Sequence, residues 1–254
     1  MTVVVDIFRV LVSCASLTMT LSPVPTIYRI HKTKSTGFMP MSPLIAMFTN
    51  HHTWMMFGYL KRNYFPIFAT YLVSEVLCIC YITVYYMHTK EKSYAHKLFL
   101  GFGAANVIAT AYAVAGGYGL TNQSRDQVRI IVGYMGIAAA LAMYASPLEK
   151  IRQVFKHRSA VFIPIFITFA AIVNNAMWVI YSALTSTWQL MVPNIFFFCS
   201  GIGQIALYFA FHPDTHPYPS LDAPESPDKS RVAENRSVTE FSVMRSPLEP
   251  LDRV

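Results

Sequence analysis

Residues 22–40 and 146–164 of this chain carry one pattern twice. The first copy reads S-P-V-P-T-I-Y-R-I-H-K-T-K-S-T-G-F-M-P and the second S-P-L-E-K-I-R-Q-V-F-K-H-R-S-A-V-F-I-P. Pro23 and Pro147, Lys32 and Lys156, Lys34 and Arg158, Ser35 and Ser159, Phe38 and Phe162, and Pro40 and Pro164 all stand 124 residues apart. The register runs on past the motif, pairing Asn50 with Asn174, Trp54 with Trp178, Phe57 with Tyr181 and Leu60 with Leu184. A repeat of this length lies far outside the roughly 20–50-residue periods of solenoids. In an apolar chain it predicts two homologous half-bundles with a site between them.

The chain is apolar enough for that reading to apply. Of 254 residues, 54% are hydrophobic and 13% charged, about half the charge of a soluble domain. Seven apolar stretches approach the roughly 20 residues that a helix needs to cross a bilayer: 3–28, 40–60, 64–87, 97–119, 128–150, 161–184 and 188–211. Under the offset, 3–28 corresponds to 128–150, 40–60 to 161–184 and 64–87 to 188–211, which leaves 97–119 unpaired. The expected fold class is an all-α polytopic membrane protein, with seven transmembrane helices as two parallel three-helix repeats joined by a linker helix (3+1+3). Three crossings reverse the side of the membrane and a fourth restores it, so an odd linker makes the repeats parallel. The expected division is 1–90 for the first repeat, 91–122 for the linker, 123–211 for the second repeat and 212–254 for a disordered cytosolic tail rich in proline, serine and acid.

Lysine and arginine set the orientation. Loops one, three and five hold Arg29, Lys32, Lys34, Lys90, Lys92, Lys97, Lys150, Arg152, Lys156 and Arg158, whereas loops two and four hold only Lys61, Arg62, Arg125 and Arg129. The amino terminus is therefore expected outside or in a lumen, with the tail cytosolic. The net charge of +7 follows from this asymmetry and calls for no nucleic-acid partner. Asn122-Gln123-Ser124 would then face the lumen, and the sequon at Asn235 and the serine-proline pairs at Ser226 and Ser246 would lie in the tail. The first span lacks a basic leading region and is read as a retained helix rather than a cleaved signal. Cys14, Cys78, Cys80 and Cys199 have no metal-ligand spacing and are expected to be core side chains.

Four prolines recur in register at helix ends: Pro23, Pro40, Pro147 and Pro164. A proline inside a helix removes a donor, frees a carbonyl and bends the helix, which makes these residues candidate hinges. The S-P motif with K-S/R-S, a downstream tryptophan, F-I-P, W-V-I-Y and V-P-N resembles the SWEET (MtN3/saliva) sugar transporter family over about residues 5–211. The resemblance implies a uniporter that passes mono- or disaccharides down their gradient by alternating access, with no cofactor and no coupling ion. It also brings in Pro43 as an alternative to Pro40 for the first-repeat hinge, and matches Asn194 to the family's binding asparagine. The corresponding first-repeat asparagine is missing, because the offset points to Thr70 and spacing from Glu75 points to Phe68.

The residues support a sugar site on their own chemistry. A sugar offers C–H faces and a rim of hydroxyls, which flat aromatics and amides recognise. Trp54 and Trp178 supply the faces, and Asn50, Asn174, Asn175 and Asn194 supply amides, with Thr70 as the remaining candidate. Glu75 is the one carboxylate deep in a span, read as a hydrogen-bonding group with proton carriage as the alternative. His51-His52 reads as polar packing, and no metal site is expected. No phosphate loop, metal-spaced histidine and cysteine set or activated nucleophile points to an enzyme. A G-protein-coupled receptor would have no reason for the duplication, and a microbial rhodopsin needs a lysine that 188–211 lacks. The closer rival is a PQ-loop proton-coupled amino-acid exporter, but valine and leucine follow Pro23 and Pro147 where that motif has glutamine. The expected partners are the sugar and the bilayer, with homo-oligomer formation open. The expected location is the plasma membrane, with the Golgi or another endomembrane as the alternative.

Overall fold

The structure is a computed structural model that describes residues 2–37 and 39–216. Phe38 and the tail features at Ser226, Asn235 and Ser246 lie outside the described residues. Every regular element described is helical: α1 (Thr2–Leu21), α2 (Val24–Thr33), α3 (Ser42–Leu60), α4 (Ala69–His88), α5 (Lys92–Gly117), α6 (Arg125–Met143), α7 (Ala145–His157), α8 (Ile165–Leu184) and α9 (Trp188–Ala210). One π-helical turn, Tyr64–Phe68, leads into α4, and a short 3-10 turn, Ala160–Phe162, precedes α8. With α1–α2 and α6–α7 each forming one broken helix, the chain makes seven crossings. Six are long and apolar enough to span a membrane by composition alone. The seventh, α3, is interrupted by Asn50, His51, His52 and Thr53; it packs against α4, α5 and α6, so these polar groups meet protein rather than lipid.

The packing obeys the repeat. Within the first half α4 touches both α1 and α3, and within the second half α9 touches both α6 and α8. Each triplet is thus ordered first, third, second. Between halves, α1 meets α8 and α3 meets α6, which are the same two helices with roles exchanged, as a two-fold relation requires. The linker α5 lies against α3 and α6. Close approach of α6 to its neighbours depends on Gly136, where a Cβ would stand 3.0 Å from the Trp54 indole. Large apolar side chains cover the outside, with Phe166 80% and Leu100 77% exposed, a surface suited to hydrocarbon rather than water. The cysteine expectation needs correction here: only Cys78 is buried, while Cys14, Cys80 and Cys199 are exposed. In a membrane protein an outward thiol faces lipid, so an apolar sequence context does not distinguish core from surface.

The broken helices run further than the apolar stretches implied. α2 and α7 extend to Thr33 and His157 as amphipathic segments, with His31 and Lys32, and Lys156 and His157, in their last turns. Cations there complement the helix dipole. Both end on a left-handed residue, Lys34 (φ 54°) and Arg158 (φ 53°), which are repeat equivalents. The first break falls at Ser22–Pro23, with Pro25 adding a second proline at the start of α2; the other falls at Tyr144, three residues before Pro147. Proline disrupts the turn preceding it, which accounts for both positions. Pro40 precedes α3 outside any helix, Pro43 is its second residue and Pro164 caps α8. At a helix start a missing N–H costs little.

The larger turnover loss is therefore expected at the breaks. If the chain carries out the transport that the resemblance implies, Pro23→Ala and Pro147→Ala should slow it at least severalfold with abundance unchanged, because alanine restores the lost donor and favours a straight helix. Equal effects at Pro40, Pro43 and Pro164, read by initial uptake rates normalised to surface protein, would remove the distinction.

Candidate functional site

α3 and α8 present their tryptophans at repeat-equivalent positions. Each indole meets an aromatic three residues on, edge to face: Trp54 and Phe57 are 5.4 Å apart at 82°, and Trp178 and Tyr181 are 5.9 Å apart at 81°. Helical spacing brings i and i+3 together, and all four rings are buried. Tyr71 of α4 then bridges the pair, with its ring stacked on Trp54 at 6.5 Å and 27° and on Trp178 at 5.6 Å and 20°. These separations lie within the usual stacking range of about 4.5–7 Å. The repeat could not have shown this residue, since position 195, its equivalent, is isoleucine and faces outward.

The amides divide between the two tryptophans. Trp54 Nε1 donates to Asn50 Oδ1 at 3.1 Å, one turn away on the same helix. Trp178 Nε1 donates across the half-bundle boundary to Ser16 Oγ of α1 at 2.6 Å, and that hydroxyl donates to Asn174 Oδ1 at 3.0 Å. Ser16 has Ala140 as its repeat equivalent, so the two sides are not alike. Asn175 is buried on α8; Asn194 is buried on α9, where it directly follows Pro193 and donates to the Leu190 carbonyl at 2.7 Å. Thr70 turns instead to α1, donating to Ser13 Oγ at 2.8 Å. Phe68, the other alternative for the missing asparagine, packs on Tyr59 and Tyr64. Two buried groups not singled out from sequence, Ser182 Oγ and Gln189 Nε2, have no hydrogen-bond partner among the described residues. Such groups are candidates for contact with a hydroxyl.

One end of the bundle is latched. Asn63 Nδ2 donates to Tyr181 Oη at 2.7 Å, Lys61 donates to Thr187 Oγ1, and Arg125 donates to the Leu60 and Tyr59 carbonyls at 3.0 and 2.9 Å. Each of these bonds joins one half to the other. Away from the tryptophans, Glu75 Oε1 lies 2.9 Å from His52 Nδ1, and His52 Nε2 lies 2.6 Å from Thr110 Oγ1. This chain of bonds ties α4 to α3 and to the linker α5. His51 packs separately on Cys78 and Tyr71.

A duplicated seven-helix membrane protein with paired aromatics near the contact of its halves defines the class, a parallel-repeat carrier fold. The family described as sugar efflux transporter for intercellular exchange matches residues 6–93 and 130–216, two segments whose starts are 124 residues apart. The chain belongs to this MtN3/saliva family. It is 28% identical over 209 residues to the bidirectional sugar transporter SWEET15 of Oryza sativa subsp. indica, covering 80% of this chain and 63% of the relative's length. Identity to the bidirectional sugar transporter SWEET10 of Arabidopsis thaliana is 28% over 217 residues, covering 82% and 71%. A solved eukaryotic SWEET transporter shares the fold at a TM-score of 0.69 and 21% identity, covering 82% of this chain and 96% of that one.

Proposed function

We propose that this chain carries mono- or disaccharides across a membrane, down their gradient, by alternating opening of its two halves. The observation that carries the reading is the pair of repeat-related tryptophans, one from each half, with Asn50 bonded to one indole and Asn174 joined to the other through Ser16; Asn175 and Asn194, buried on α8 and α9, complete the proposed amide set. Tyr71 covers an indole face on each tryptophan. An entering sugar takes its place, exchanging ring–ring stacking for C–H stacking and amide hydrogen bonds. The division at 1–90, 91–122 and 123–211 is the division into moving bodies, and Pro23 and Pro147 are the bending points. The amino terminus lies outside or in a lumen, the tail is cytosolic and the membrane is the plasma membrane.

Passive transport follows from the charge in the spans. Glu75 is paired with His52, and its repeat equivalent is Cys199, so the two halves offer no matched carboxylates for a proton to ride. In proteoliposomes, labelled glucose, galactose, fructose and sucrose should equilibrate without accumulating, at rates that a protonophore leaves unchanged. Accumulation driven by a pH difference would replace this reading with a proton-coupled one. Protease added to intact cells should leave the tail uncut; tail cleavage would reverse the orientation.

A further inference from the structure

The latched end also gathers charge, in a pocket open to solvent, that the latch does not neutralise. A cavity of about 510 Å³ is lined by Leu60, Lys61, Arg62, Arg125, Asp126, Arg129 and Ser186. Four cations thus line one space with a single carboxylate, and that carboxylate, paired with Arg129 at 3.1 Å, is 82% exposed and turned to solvent. The cations come from both halves: Lys61 and Arg62 from the end of the first repeat's α3, Arg125 and Arg129 from the start of α6. Two corners of the wall, Arg62 (φ 56°) and Ser186 (φ 48°), are repeat equivalents held in the left-handed region, which ordinary side chains rarely adopt. The fold therefore holds this geometry against local strain and against like-charge repulsion.

We propose that this cavity binds a phosphate-type anion, presented either by a lipid headgroup or by free phosphate, and that the bound anion fastens the two halves together at this end. Guanidinium forks and an ammonium group converging from two sides suit a tetrahedral oxyanion with several acceptor oxygens. Without the anion, Lys61 and Arg62 repel Arg125 and Arg129 across the boundary that must part when this end opens. With it, each side is held to a common counter-charge. Burial, reinforced by the Arg129 charge, lowers the Lys61 ammonium to about 8, as expected where positive charge is in excess.

The binding claim stands apart from the cargo, and only its effect on opening rests on the carrier reading. The full chain, purified in neutral detergent, is titrated with inorganic phosphate against chloride at constant ionic strength while its thermal unfolding midpoint is followed. In parallel it is reconstituted in phosphatidylcholine discs with and without phosphatidic acid, and the lipid retained is measured by native mass spectrometry. A saturable rise in midpoint with phosphate assigns the site to the free anion; retention of about one phosphatidic acid per chain assigns it to the headgroup. In either case Arg62→Gln/Arg129→Gln should weaken binding about tenfold or more, as loss of charge-assisted hydrogen bonds implies. Lys32→Gln/Lys90→Gln, which removes equal charge at the opposite end, should not. Arg62→Gln alone serves if the double variant folds poorly, since Arg62 is exposed. No response in either arm, or equal responses from both double variants, overturns the proposal. If binding is found but phosphate leaves sugar exchange unslowed, the fastening role falls and the site remains.

Discussion

Replacing Trp178 with alanine lowers sugar uptake about tenfold or more, through the loss of one stacking face and of the polar link to Ser16. A stacking face is worth about 0.5–1.5 kcal/mol and a hydrogen bond about as much, together enough for that factor in a low-affinity site. Trp178 is buried at 2% exposure, and emptying such a site costs roughly 3–5 kcal/mol of stability, so uptake must be normalised to folded protein at the membrane. Trp178→Phe separates the two contributions. It keeps an aromatic face but cannot donate to Ser16 Oγ, so its uptake should fall between wild type and alanine. Initial rates for a panel of sugars decide the matter, and a well-expressed Trp178→Ala with normal rates would falsify the site between the halves.

Replacing Tyr71 with alanine acts in the opposite sense on affinity. The ring that covers both tryptophans is gone, so sugar no longer competes with it, and the KM should fall roughly tenfold, given about 0.5–1.5 kcal/mol for each stacked pair. The empty protein should lose stability at the same time, by the few kcal/mol expected when a buried aromatic leaves a cavity. Tyr71→Phe keeps both stacks and should leave KM near wild type. The combination to measure is KM by concentration-dependent uptake together with the thermal midpoint in the absence of sugar. A raised KM in Tyr71→Ala would instead make the tyrosine a sugar contact.

The duplication was legible in the sequence because both copies were still written in the same register. It implied the 3+1+3 order of helices and the equivalence of Trp54 and Trp178, while the pairing of α1 with α8 and of α3 with α6 across the halves came from the packing. Positions that have diverged between the copies were invisible to that reasoning. Tyr71 opposite Ile195 and Ser16 opposite Ala140 break the symmetry where the candidate site lies, and no spacing rule marks them. Glu75 was legible as a buried acid, but its histidine partner was not, since His52 lies 23 residues away and meets it only when α3 packs on α4.

What the sequence by itself determined is the part governed by repetition and by transfer to lipid: the number and order of the helices, and the helix ends at proline. Those depend on local composition, summed over about 20 residues. Burial inside the bundle does not, because apolar side chains face both lipid and protein, which is why three of the four cysteines were placed on the wrong surface. Only the tertiary structure decided which rings stack, which amides are already spent on indole N–H groups, and that Lys61, Arg62, Arg125 and Arg129, scattered over two loops, surround one cavity. Each of these facts is a contact between chain segments far apart in sequence, set by how the two halves pack.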